Sequence, residues 1–181
     1  MKIDLGSGCQ AGEVPDYIHI DIMDLPDIEY VWDLNMGLPK RTWSKSDKVG
    51  GIGEYAKNWT QNGSYKVFED NTVDEIRSHH CFEHLTVEGF MKLMDELWDA
   101  LKPDGILKVY VPNAECPRAA WGDPTHRKAF STITFSYFTR GGLSGHPYTN
   151  KAWEIVEEPE VRGTPPDDLW EIYCSMRPDK R

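Results

Sequence analysis

The chain is short of positive charge, of cysteine and of long apolar runs, and each shortage closes a class of function. It carries 20 lysines and arginines against 30 aspartates and glutamates, a formal net charge of −10. Binding nucleic acid through its phosphates needs clustered cations, so this balance argues against a general nucleic-acid partner. The four cysteines, Cys9, Cys81, Cys116 and Cys174, are scattered and form no CxxC pair. That excludes a zinc ribbon and a dense disulfide scaffold, and it suits a reducing compartment. No stretch approaches the roughly 20 apolar residues of a spanning helix, and no apolar signal region stands at the N-terminus. The expectation is a cytoplasmic protein with no membrane partner. Its 181 residues suffice for one domain with a proper core.

Glycine, by contrast, is concentrated where the chain starts. KIDLGSGCQAG, residues 2 to 12, closes a short apolar run on Asp4 and Leu5 and then places Gly6, Ser7, Gly8 and Gly12 within a few positions. Such a cluster is either a plain turn or a loop whose backbone must approach a ligand closely. Further strand-like segments follow at 17–21 (YIHID), 28–34 (IEYVWDL), 73–82 (VDEIRSHHCF) and 105–112 (GILKVYVP). Between the last two, Phe90, Leu93, Met94, Leu97, Trp98 and Leu101 recur at helical spacing, with Thr86 as N-cap and LKPDG stopping the helix at Lys102. Strand, helix, strand in this order implies parallel pairing through a right-handed crossover. Residues 152–161 and 169–176 alternate and flank the turn-rich RGTPPDD, which predicts an antiparallel pair at one edge. Residues 40–66 look inserted, with a hairpin signal at Asn62-Gly63.

Two of the early strands end on acids, Asp21 and Asp33, while the first leads from Asp4 into the glycine loop. In open α/β sheets ligands sit outside the carboxyl ends of the strands. A carboxylate there can accept two hydrogen bonds from a ribose diol, which points to a nucleoside-bearing cofactor. A dinucleotide fingerprint wants GxGxxG opening a helix that holds a pyrophosphate. Here Gly6-x-Gly8-x-x-x-Gly12 leaves hardly room for a helix before Ile18, and Pro15 interrupts it. A cofactor without phosphate fits better, and S-adenosyl-L-methionine is one.

DLGSG (4–8), HIDI (19–22), WDLNMGLP (32–39), VDEIRSHHCFEHL (73–85) and LKPDGILKVYVPN (101–113) together resemble the successive motifs of class I S-adenosylmethionine-dependent methyltransferases, the small type 11 group above all. DPTHRKAFSTITFSYF (123–138) resembles a stretch that follows the fifth strand in that group. The resemblance implies an α/β, Rossmann-like, mostly parallel sheet with a C-terminal antiparallel hairpin, lacking the usual N-terminal helices. By the same resemblance Asp4, Leu5, Gly6, Ser7 and Gly8 line the methionine end, Asp21 and Ile22 the ribose, and Asp33 with Leu34 the adenine edge. Ser78, His79 and His80 then lie near the sulfonium and the methyl acceptor. With no N-terminal helices, cover for that acceptor is expected from 40–66, from 114–150 or from a second copy in a homodimer.

Plainer readings stand beside these. Asp21 and Asp33 can each be a solvated strand end or a helix cap. Asp123 and His126, in DPTHRK, are either catalytic, with the histidine as general base, or a loop fastened by its own hydrogen bonds. Phe130, Phe135, Tyr137 and Phe138 read as core or pocket wall, and Trp43, Tyr55 and Trp59 as a substrate cover or a surface loop. His80-Cys81-Phe82-Glu83-His84 matches H-x-x-E-H, a zinc-protease pattern. That chemistry needs both histidines on one helical face, yet the first falls on a strand exit, so no metal is expected. The function expected is methyl transfer to a small-molecule or sugar-type acceptor. The alternatives are a non-catalytic binder of the same cofactor and an enzyme that cleaves it.

Overall fold

The structure, a computed structural model, describes residues 1–39, 68–142, 148–163 and 170–181. Strands β1 (Lys2–Leu5), β2 (Ile18–Asp21), β3 (Tyr30–Val31), β4 (Val73–His79), β5 (Leu101–Pro112), β6 (Trp153–Arg162) and β7 (Glu171–Pro178) form one sheet. Their order is β3-β2-β1-β4-β5-β7-β6, parallel from β3 to β5, with β7 antiparallel to both β5 and β6. The chain runs outward from β1 to β3, then restarts at β4 on the other side of β1. The switch point, where α/β sheets hold ligands, therefore lies at the carboxyl ends of β1 and β4. Leu5 pairs with Ser78 and Ser78 with Val109, so these strand ends are level.

Strand alternation divides the side chains between two faces. Ile3, Leu5, Ile76, Leu107 and Val109 point into one buried cluster, completed by helix α1 (Val87–Ala100). Phe90, Leu93, Met94 and Leu97 give α1 its apolar stripe, and each such burial stabilises by about 1.5–3 kcal/mol. Thr86 caps the helix, its Oγ1 accepting from the Gly89 N–H at 3.0 Å. Phe130, Phe135 and Phe138 belong to the same core rather than to a pocket wall, with Phe130 and Phe138 edge-on to Phe90 at 5.7 Å.

Two expectations change. The 28–34 segment pairs only at Tyr30–Val31, because Asp33 turns the chain into a 3₁₀ turn at Leu34–Met36. LKPDG does not separate helix from strand: α1 ends at Ala100 and β5 begins at Leu101. Lys102 to Gly105 leave the ladder as an irregularity, the pairing jumping from Val73–Leu101 to Glu75–Ile106, which is how Pro103 and Gly105 are tolerated. The β1–β2 crossover is reduced to a 3₁₀ turn at Gly8–Glu13, in keeping with the short spacing. The expected insertion at 40–66, with Trp43, Tyr55, Trp59 and Asn62-Gly63, lies outside the described residues, as do residues 164–168 of the RGTPPDD link. Among the described residues no helix is long and apolar enough to cross a membrane.

Candidate functional site

The glycine loop leaves β1 with Gly6 at φ 66° and Gly8 at φ 51°, both in the left-handed region. At Gly6 the need is also steric, since a Cβ there would lie 2.6 Å from Cβ of Cys81, just past β4. At Gly8 a Cβ would meet nothing within 4 Å, so the backbone there borders open space. Asp21, buried at the end of β2, accepts from the Gly8 N–H and the Met23 N–H, each at 2.8 Å. A carboxylate offers about four acceptor sites, so two remain for a diol. Ser78 Oγ, fully buried at the end of β4, has no hydrogen-bond partner among the described residues. An orphaned polar atom beside an open loop fits a polar ligand at this switch point.

The other candidates divide. Asp4 is fully buried, with both oxygens 3.2 Å from Arg77 Nη1 and Oδ2 3.4 Å from His19 Nδ1, which is itself 3.1 Å from Ser7 Oγ in the loop. Ser7 Oγ donates to the Asp4 carbonyl at 3.0 Å and so ties the loop to its strand. Leu5 and Leu34 are core side chains, whereas Ile22 is about half exposed. Asp33 Oδ1 accepts from the Asn35 N–H and from Asn35 Nδ2, the capping alternative.

Beyond β4 the chain turns sharply at His80, whose φ is 52°, unusual for a residue with a side chain. A 3₁₀ turn at Phe82–His84 then leads to α1. This turn, Pro112 at the end of β5, and the segment around α2 (Pro117–Trp121) enclose a cleft of about 740 Å³. His80, Asp123 and His126, distant in sequence, all line it, together with Glu83, His84 and Arg118. Cys81, packed against Gly6, joins this cleft to the glycine loop. His79 packs edge-on against His80 at 4.6 Å, with its ring 5.1 Å from Tyr110 and its Nε2 3.5 Å from Glu171.

The electrostatics separate the histidines. The Glu171 carboxylate, 3.0 Å from His80 Nε2, and then Glu83 raise the His80 imidazolium to about 9, so this ring is cationic at neutral pH. Hydrogen bonds from His79 and then His80 hold Glu171 down to about 2. His126 Nδ1 donates to the Ala120 carbonyl at 2.8 Å, which leaves Nε2 its lone pair in the neutral ring. Asp123 accepts from the Thr125 N–H and Oγ1, at 2.7 and 2.6 Å, and so fastens its own loop. The Cys81 thiol is pushed far up by burial and offers no nucleophile. Glu171 carries no sequence signal of its own. It reaches the histidines because β7 runs antiparallel to β5 and pairs Glu171 with Pro112 at the exit of that strand.

No family model matches the sequence, and no curated protein does. Solved structures share the fold. A Burkholderia thailandensis 1,6-didemethyltoxoflavin-N1-methyltransferase, with bound 1,6-didemethyltoxoflavin and S-adenosylhomocysteine, is 12% identical with TM-score 0.58, over 98% of this chain and 70% of that one. A SAM-dependent methyltransferase from Archaeoglobus fulgidus is 16% identical with TM-score 0.56, over 97% and 84%. A Haloferax volcanii protein in complex with the Trm112 methyltransferase activator is 12% identical with TM-score 0.52, over 97% and 81%. At these identities the likeness is one of fold: the chain has the Rossmann-like architecture of class I S-adenosylmethionine-dependent methyltransferases.

Proposed function

We propose that the chain is a methyltransferase that uses S-adenosylmethionine to methylate a small-molecule or sugar-type acceptor held in the cleft between His80 and His126. The observation that carries this reading is Asp21. It is a buried carboxylate at the end of β2, clamped by two backbone N–H groups beside the glycine loop, whose Gly6 packs against Cys81, the chain neighbour of the cleft-lining His80. S-adenosylmethionine supplies an electrophilic methyl group on a sulfonium. What the protein must add is alignment of the acceptor and exclusion of water, worth roughly 7–11 kcal/mol in favourable cases.

The residues divide that work. Asp21 takes the ribose hydroxyls, and the Gly6–Gly8 backbone lets the methionine end approach. His80, cationic between Glu171 and Glu83, fixes the shape of the turn at the acceptor's side. His126, its tautomer set by Ala120, presents the lone pair able to take a proton from an acceptor hydroxyl or amine. Walls from 117–126 supply the cover that the sequence left to 40–66, to 114–150 or to a second chain. The acidic balance of the chain favours an acceptor other than nucleic acid.

Calorimetric titration of S-adenosylhomocysteine into the wild type and Asp21→Ala tests the cofactor site. Micromolar binding weakened at least about tenfold by the substitution, a difference of about 1.4 kcal/mol, supports it. Folded wild-type protein that binds neither S-adenosylhomocysteine nor S-adenosylmethionine overturns it. Product analysis after incubation with S-adenosylmethionine then separates transfer from cleavage.

A further inference from the structure

Glu83 is the oddest side chain in the cleft. It is 1% exposed, yet neither carboxylate oxygen makes a hydrogen bond. Its nearest basic neighbours are His80 Nδ1 at 3.3 Å and His126 Nε2 at 4.0 Å. Lys128, the other nearby cation, is committed elsewhere, donating to the carbonyls of Phe82 and Leu85. The cationic His80 ring offsets part of the cost of burying this carboxylate, but it makes no hydrogen bond to it, which leaves both oxygens able to take a further cation.

Two imidazoles stand where such a cation would need them. Glu83, His84 and His126 each place a ligand atom within 4.8 Å of the others. Both rings are oriented by hydrogen bonds through Nδ1. His126 Nδ1 donates to the Ala120 carbonyl. Thr125 Oγ1 spends its proton on Asp123 and so accepts from His84 Nδ1 at 3.0 Å. Each neutral ring therefore keeps its lone pair on Nε2, and a backbone carbonyl or a hydroxyl–carboxylate relay behind the ring is how metal-ligating histidines are held. The H-x-x-E-H spacing had suggested His80 and His84 as the pair. His80 instead faces Glu171, and the second imidazole comes from the DPTHRK loop, 43 positions after Glu83, where no local motif could reveal it.

We propose that Glu83, His84 and His126 bind a first-row transition-metal dication such as Zn²⁺, with its remaining coordination positions open to the cleft. Two nitrogens and one carboxylate suit such an ion better than Mg²⁺ or Ca²⁺. Ligand bonds of about 2.0–2.2 Å need only a modest contraction of the three side chains. The open positions would take an oxygen of the acceptor, and with the His126 lone pair on the ion, the metal rather than that ring would ease loss of the acceptor's proton; that role rests on the methyltransferase reading, binding of the ion does not. A second cluster, His79, His80 and Glu171, has comparable spacing, but its carboxylate is already hydrogen-bonded to His80 at 3.0 Å.

Titration of chelator-treated protein with Co²⁺, followed by visible absorption and by displacement with Zn²⁺, tests the site. The expected result is one equivalent bound. Glu83→Gln, His126→Ala and the half-buried His84→Ala should each weaken it at least about tenfold, with Thr125→Val giving a smaller loss in the same direction. Glu171→Gln should leave binding as it was. Absence of binding by folded wild type overturns the proposal, as does binding that survives all three ligand substitutions. So does binding abolished by Glu171→Gln alone, which would move the ion to the other cluster. Circular dichroism guards against misfolded variants, and His84→Ala carries the test if Glu83→Gln fails to fold. Asp21→Ala, which should lose S-adenosylhomocysteine while retaining Co²⁺, keeps a failed metal site distinct from a failed cofactor site.

Discussion

The two faces of the central sheet are built from alternate residues of the same strands, yet they are held by different forces. On one face Ile3, Leu5, Ile76, Leu107 and Val109 meet the stripe of α1, and apart from Ser78 the layer is apolar. On the other face Asp4 meets Arg77 and His19, Glu75 meets Tyr17 and Lys108, and Arg162 lies 3.7 Å from the ring centre of Tyr173. Parallel strands are usually apolar on both sides because helices cover both. Among the described residues, α1 serves the first face, and the second satisfies itself with paired charges and tyrosines. The residues proposed for cofactor and acceptor sit at the carboxyl rim, where the two faces meet, and a site there requires level strand ends rather than two apolar layers.

If that contrast is real, substitutions should cost by face. The largest effect is expected from Leu97→Ala on α1, a fully buried side chain in the closed layer. It should lower stability by about 2–5 kcal/mol in urea unfolding. Next comes Arg77→Met on the polar face. It strands the fully buried Asp4 carboxylate with only His19 beside it, and a loss of about 2–3 kcal/mol is expected. Adding Asp4→Leu should recover most of that loss, because the cost is an unpaired buried charge rather than missing packing. Failure of the double variant to recover would mean that the polar face is held by shape as much as by charge.

The same division explains what the sequence could reveal. Period and punctuation expose the apolar face: the α1 stripe, the GILKVYVP strand and the C-terminal hairpin all follow from spacing alone. The glycine loop and Asp21 are equally local, since a strand exit and its ligand groups lie within a few residues. Pairings across the polar face are not legible, because Asp4 and Arg77 are 73 positions apart and nothing in either segment names the other. The 28–34 segment misleads for a related reason. Its residues are β-formers, but the Asp33 side chain bonds the Asn35 backbone and bends the chain away from β2. In the cleft, His80, Asp123 and His126 were found as types, whereas the isolation of Glu83 depends on three segments meeting.

A smaller effect tests the seam where β7 meets the cleft. Glu171 has its carboxyl lowered from 4.5 to about 2 by hydrogen bonds from His79 and then His80. A carboxylate depressed in the folded state contributes stability that is present above pH 4.5 and lost as pH falls through about 2. Glu171→Gln should therefore flatten the acid side of the stability curve in that window, and also weaken the loss of stability between about pH 6.5 and 9 that comes from the raised His80. Because the site is only half-buried, solvent screening limits the difference to about 1–2 kcal/mol. Unfolding measured across acid pH checks this. An unaltered slope would detach Glu171 from the histidines.

The smallest effect should come from Lys108→Met. Lys108 Nζ lies 2.9 Å from Glu75 Oε1, but the side chain is 36% exposed and Glu75 also accepts from the Tyr17 hydroxyl. With the lysine gone, Glu75 keeps the Tyr17 bond and its contact with water, so no charge is stranded. That is the difference from Arg77, whose partner has neither. The expected loss is about 0–1 kcal/mol, shrinking further at high salt because the pair is screened. Urea midpoints at low and high salt measure it. A loss as large as that of Arg77→Met, insensitive to salt, would show that burial of the partner is not what sets the strength of this face.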